Sequence, residues 1–98
     1  MDRAAAIDIL RSHEGELRRL GIRHAGLFGS TARGESGPDS DVDVLIEIDE
    51  STVRDVYDYV GVVQFIEDLF PRPVDVANRA CLKDHVRPDA LRDLIDAF

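Results

Sequence analysis

The chain has one cysteine, Cys81, one lysine, Lys83, and no tryptophan among its 98 residues. A lone cysteine excludes an intrachain disulfide and a thiolate-held zinc cluster. The scarcity of lysine, within 12 Lys and Arg set against 20 Asp and Glu, argues against direct nucleic-acid binding. A sequence-independent grip on nucleic acid comes from cationic side chains that neutralise phosphates. Long apolar runs are also missing. The N-terminal one, Ala4-Ala5-Ala6-Ile7, is bounded by Arg3 and Asp8. Neither a signal peptide nor a membrane span of about 18 apolar residues is expected, so cytoplasmic residence without membrane contact is. There are no repeats and no low-complexity tracts. At 44% hydrophobic and 33% charged, the composition predicts a single folded domain over residues 1–98.

What the chain does have is acid in one place. Residues 35–58 hold nine acids (Glu35, Asp39, Asp41, Asp43, Glu47, Asp49, Glu50, Asp55 and Asp58) and one base, Arg54. That stretch carries the whole formal net charge of −8. Such a concentration is either a solvated face or a cation site.

Ala6, Ile9, Leu10, His13, Leu17 and Leu20 recur at helical spacing, and Gly21 is a stop signal. Gly15 is expected to interrupt this segment, because an internal glycine costs about 1 kcal/mol relative to alanine. Residues 22–28 suit a short buried strand, 29–34 a turn into a short helix, and 35–40, with Gly37-Pro38-Asp39, a loop. Val42, Val44, Ile46 and Ile48 alternate with Asp41, Asp43, Leu45 and Glu47, the pattern of a strand with one apolar face. Thr52 with Asp55 resembles a capping box for a helix through Val53, Val56, Val60 and Val63 to Phe70, ended by Pro71 and Pro73. Val74-Asp75-Val76 reads as a short strand, and residues 89–97 as a terminal helix after Pro88. The order predicts a small α+β or α/β domain, a short mixed sheet flanked by helices.

Asp41 and Asp43, two apart on one strand, direct both carboxylates to the same face, about 6.6 Å apart along the chain. Paired carboxylates repel unless a cation intervenes. Mg²⁺ takes one or two carboxylates together with substrate phosphates. Two such ions about 3.5–4 Å apart form the clamp used in phosphoryl and nucleotidyl displacement. Asp75, between Val74 and Val76, is the best candidate for a third carboxylate. On the phosphate side, Gly29 permits close backbone approach, Ser30 offers a hydroxyl, and a helix N-terminus presents N–H groups to an anion. Gly-Lys-Ser/Thr does not follow, so this is not a Walker A loop. Two plainer readings stand beside these: outward-facing strand acids for Asp41 and Asp43, and a helix N-cap for Ser30.

Gly29-Ser30, ten intervening residues, then Asp41-Val42-Asp43 resembles the G-S-x10-D-x-D signature of the DNA polymerase beta-like nucleotidyltransferases. The longer text from Phe28 to Glu35, then Ser40-Asp41-Val42-Asp43-Val44-Leu45, looks like their minimal nucleotidyltransferase branch. Phe65-Ile66-Glu67-Asp68-Leu69-Phe70 and Pro73-Val74-Asp75-Val76 match its later helix and third-carboxylate strand. The resemblance implies that Asp41, Asp43 and Asp75 hold two Mg²⁺ ions, with Asp75 also helping to deprotonate the acceptor hydroxyl. It implies that Gly29 and Ser30 hold the β- and γ-phosphates of ATP, and that Arg33 contacts phosphate or braces the acidic loop, the brace being favoured. The branch is commonly paired with a helical HEPN RNase toxin, and a chain this short is expected to carry no acceptor domain of its own. The expected activity is that of an adenylyltransferase antitoxin, moving AMP from ATP to a tyrosine hydroxyl of that toxin. Two alternatives are a non-catalytic acidic antitoxin that acts by contact, and the catalytic subunit of a small-molecule nucleotidyltransferase.

The remaining candidates have plainer expectations. Glu47, Asp49, Glu50, Asp55 and Asp58 read as a solvated face open to a basic partner. His13, His24 and His85 have no ligand spacing. Cys81 is expected to pack as a small residue, and Tyr57 and Tyr59 to pack along their helix, an exposed tyrosine being a self-modification acceptor.

Overall fold

Asp2 opens the first helix by accepting the Ala5 amide at 2.8 Å, which satisfies one of the unpaired N–H groups of its first turn. The computed structural model describes residues 1–35, 37 and 41–98. The loop expected over 35–40 therefore falls largely outside the described residues, at Ser36, Pro38, Asp39 and Ser40. Helix α1 (Arg3–Ser12) buries Ala6, Ile7 and Leu10. The break comes at His13, not at Gly15: the His13 amide bonds back to Leu10, three residues earlier, and α2 (Glu14–Arg19) starts afresh. Gly15 then lies in the first turn of α2, where the interior penalty is not incurred. Leu17 is buried, whereas Leu20 is exposed.

Among the described residues the sheet has four strands in the order β3-β2-β1-β4, where β1 is Ile22–Leu27, β2 Val42–Ile48, β3 Val74–Asn78 and β4 Ile95–Asp96. β1 pairs antiparallel with β2 and β4, and β2 pairs parallel with β3. A parallel neighbour needs a crossover, which α4 (Val56–Leu69) supplies. A bulge between Ile22 and His24 resets the alternation, so Ile22, Ala25 and Leu27 all join the core. There they meet Val42, Val44 and Ile46 of β2, Leu10 and Leu17 of the first two helices, and Val62 and Ile66 of α4.

Three boundaries and one strand face differ from the sequence expectation. Asp41 precedes β2 instead of lying on it. Leu45 lies outside the main core cluster, yet it is buried beside a small cleft that Leu94 and Arg79 also line, so β2 carries a buried apolar side chain on each face. Asp55, not Thr52, caps α4: its carboxylate accepts the Asp58 amide at 2.9 Å, while Asp58 accepts the Arg54 amide at 3.1 Å. The terminal helix is shorter than residues 89–97. It runs as α5 (Arg87–Asp93) and gives way to β4, whose chain crosses Gly26 so closely that a Cβ there would sit 2.5 Å from the Ile95 carbonyl. The Ala97 amide donates to the Ala25 carbonyl at 2.8 Å and fixes that crossing.

Two packing expectations fail as well. Cys81 is exposed at the end of a 3-10 turn, Arg79–Cys81. Tyr57 stands away from its helix at 87% exposure, whereas Tyr59 is half-buried and burial pushes its phenol above the ordinary range. Among the described residues, no helix is long and apolar enough to cross a membrane.

Candidate active site

The strand-to-helix turn after β1 and the start of β2 meet at Asp43. α3 (Gly29–Arg33) begins at N-cap Phe28, which offers no side-chain bond to its first turn. Ser30 is therefore not the cap; it is the second helical residue. The Phe28 amide donates to the Asp43 carbonyl at 3.2 Å, which seats the helix start on β2. The hydroxyls of Ser30 and Thr31 each donate to Asp43 Oδ2 at 3.3 Å. Thr31 Oγ1 also accepts the Asp43 amide at 3.0 Å, so it clamps both ends of the residue. α3 ends in a left-handed Gly34, with Gly34 donating to the Thr31 carbonyl and Glu35 to the Ser30 carbonyl. That paired closure is the Schellman pattern.

Asp43 and Asp75 occupy matching positions of β2 and β3. Register partners point to the same face on strands about 4.8 Å apart, so the two carboxylates leave the sheet side by side. Asp41, exposed, stands one residue ahead of β2. Among the described residues, no three His, Cys, Asp or Glu side chains are close enough to form a ready-made cage. The donors that do converge are carboxylate and hydroxyl oxygens, with no nitrogen or sulfur ligand among them. That set fits a hard divalent cation that shares its remaining positions with water and substrate phosphate.

Gly29 has φ +58°, and a Cβ placed there would lie 3.1 Å from Asp43 Oδ2. Glycine thus permits the turn and leaves space above the carboxylate. Arg33 points elsewhere: its Nε donates to Glu35 at 2.9 Å and its Nη1 to Asp93 at 2.8 Å. The carboxylates of Glu35 and then Asp93 raise the guanidinium pKa further above its ordinary value. Through Asp93 it ties α3 to α5.

The family model of the nucleotidyltransferase domain matches residues 10–97. The chain belongs to the nucleotidyltransferase family. It is 35% identical over 88 residues to the protein adenylyltransferase MntA of Thermococcus cleftensis, covering 89% of this chain and 87% of that one. A solved chain described as a candidate minimal nucleotidyltransferase superposes with a TM-score of 0.79 at 29% identity, covering 97% and 95% of the two chains. A toxin–antitoxin structure with AMP-PNP shares the fold, with a TM-score of 0.67 at 15% identity over 90% of this chain and 72% of that one.

For a nucleotidyltransferase, the residue that sequence reasoning left without a role is Thr31. The Gly29-Ser30-Thr31 text contains it, and a hydroxyl at a strand-to-helix turn is a signal, but its bonds to Asp43 arise only once β2 is in place. It is the one buried polar side chain among the described residues, at 2% exposure. Thr31→Val keeps the shape, strips both hydroxyl bonds, and leaves the Asp43 amide without its acceptor. The expected cost is about 1–3 kcal/mol, the usual penalty for orphaning a buried donor. Thermal melting checks this, and Thr31→Ser should recover most of the loss.

Proposed function

We propose that this nucleotidyltransferase transfers the adenylyl group of ATP to a tyrosine hydroxyl of a helical HEPN-type toxin, and so acts as its antitoxin. The observation that carries the reading is the placement of Asp43 directly beneath the Gly29-Ser30 turn and in register with Asp75. The name of the Thermococcus relative and the AMP-PNP of the toxin–antitoxin neighbour support the choice of adenylyl donor and of acceptor class.

Asp41, Asp43 and Asp75 are the residues that would hold Mg²⁺, which supplies neutralisation of phosphate charge when bound. Gly29 and Ser30 bind the β- and γ-phosphates through backbone N–H groups and the Ser30 hydroxyl. Arg33 braces α3 and Glu35 and leaves the phosphates to that turn. Asp75, at the edge strand, accepts the proton of the acceptor hydroxyl. The acceptor oxygen forms a bond to the α-phosphorus, the bond from that phosphorus to the bridging oxygen breaks, and pyrophosphate leaves with the electron pair. Orientation of the two reactants contributes much of the acceleration in such a displacement.

The test is to incubate the chain with ATP, Mg²⁺ and the toxin, then measure intact masses. A toxin heavier by one or more adenylyl groups is the expected result. Neutralisation without mass gain would assign the chain to the contact-only antitoxins, and transfer to an aminoglycoside or sugar alone would assign it to the small-molecule enzymes.

A further inference from the structure

The first half of α4 turns an apolar surface to solvent. Val56 is 74% exposed, Tyr57 87% and Val60 52%. Beside them a shallow cleft of about 340 Å³ is floored by Ile48, Val53 and Tyr59. Positions 57, 60, 61 and 64 adjoin one another at helical spacings of three and four. Gly61 sits among them, exposed, and, chain neighbours and its own helix backbone aside, no atom among the described residues lies within 4 Å of where its Cβ would stand. Glycine weakens a helix interior, and no described neighbour requires one here. A missing side chain does matter to a second helix, because the separation of packed helices is set by the side chains at their contact.

Charge decides between occupants. Asp55 and Asp58 stand exposed on the first turn of α4, and Glu67 and Asp68 on its last. The preceding chain adds Glu50, and residues 35–58 together carry the net −8. A second copy would bring these acids against each other, whereas a basic surface would be drawn to them. We propose that this face docks the protein acceptor, through an amphipathic helix whose apolar stripe seats on Tyr57, Val60 and Gly61 and whose flanking Lys and Arg meet Asp55 and Asp58. The proposal rests on the reading that the acceptor is a protein. Since α4 runs back along β2 towards Phe70, Val60 and Gly61 lie about 15 Å along the helix from the end nearest Asp43, at 1.5 Å per residue. Docking and chemistry are thus separable by substitution.

The experiment titrates the full chain, in an Asp43→Asn background that prevents turnover, against the helical toxin. Val60→Asp and Gly61→Gln should each weaken binding at least ~10-fold, and added salt should weaken the unsubstituted pair. Gly61→Gln should meanwhile raise the melting temperature by about 4 °C, because glutamine is the better helix former. Loss of binding in a stabilised variant is not a folding defect. Equal binding by both variants overturns the proposal, as does sedimentation of the chain alone as a dimer that Val60→Asp dissolves. A toxin bound through this face that gains no adenylyl mass leaves the docking inference standing and defeats the catalytic reading. A toxin adenylylated as fast by Val60→Asp, at concentrations below saturation, does the reverse.

Discussion

Asp43→Asn should abolish nucleotidyl transfer, with a loss on the order of 10³-fold or more, while the chain remains folded. The size follows from what the substitution removes. A carboxylate aimed at a developing phosphoryl charge acts through a bound cation, and loss of one preorganised electrostatic contact costs on the order of 10²–10³-fold. In the proposed reading Asp43 would also hold Mg²⁺, and losing that ligand would put the effect at the upper end or beyond. The fold is protected because asparagine keeps an acceptor oxygen for the Ser30 or Thr31 hydroxyl, and Thr31 Oγ1 still accepts the backbone amide of position 43. Initial rates with ATP and Mg²⁺, beside a melting curve within a few degrees of the parent, check the claim. A variant that retains a tenth of the rate would remove Asp43 from the chemistry.

The parts of the site legible in the sequence are those made locally. A strand, a glycine turn and a helix occupy consecutive residues, so Gly29-Ser30 is visible as text. The alternation around Asp43 shows which way that carboxylate faces. Asp75 is readable for the same reason, since Val74 and Val76 turn inward and leave it outward. The register that sets Asp75 beside Asp43 comes from the α4 crossover and has no signature of its own. Neither has the Arg33–Asp93 pair, 60 residues apart in the chain. β4 is only two residues long, too short for periodicity to announce, and is held by backbone bonds to Ala25 and by the space over Gly26. The helix start misread at Thr52 shows a further limit. Two acceptable capping boxes overlap in this acid-rich stretch, and the burial of Val53 ahead of the helix goes with the later one.

Gly29→Ala is expected to cost transfer far more than its cost in stability would suggest, and Gly34→Ala provides the matched control. Both glycines have left-handed backbones, φ +58° and φ +73°. An L-residue there costs about 1–2 kcal/mol. For a domain of this size each kcal/mol lowers the melting temperature by roughly 4–8 °C, so both variants should melt about 4–15 °C below the parent. Their surroundings differ. At Gly34, chain neighbours aside, nothing among the described residues lies within 4 Å of the added carbon, whereas at Gly29 it sits 3.1 Å from Asp43 Oδ2, in the space above the carboxylate. The new methyl makes the carboxylate give by a few tenths of an ångström and occupies the space through which phosphate would approach the turn. A misplacement of about 1 Å at reacting groups costs on the order of 10²-fold. Gly29→Ala should therefore lose about 10²-fold in kcat/KM, with a raised KM for ATP, whereas Gly34→Ala should stay within about 2-fold of the parent at a temperature where both are folded. Equal losses in the two variants would show that backbone strain alone sets the rate, and Gly29 would then have no part in holding the nucleotide.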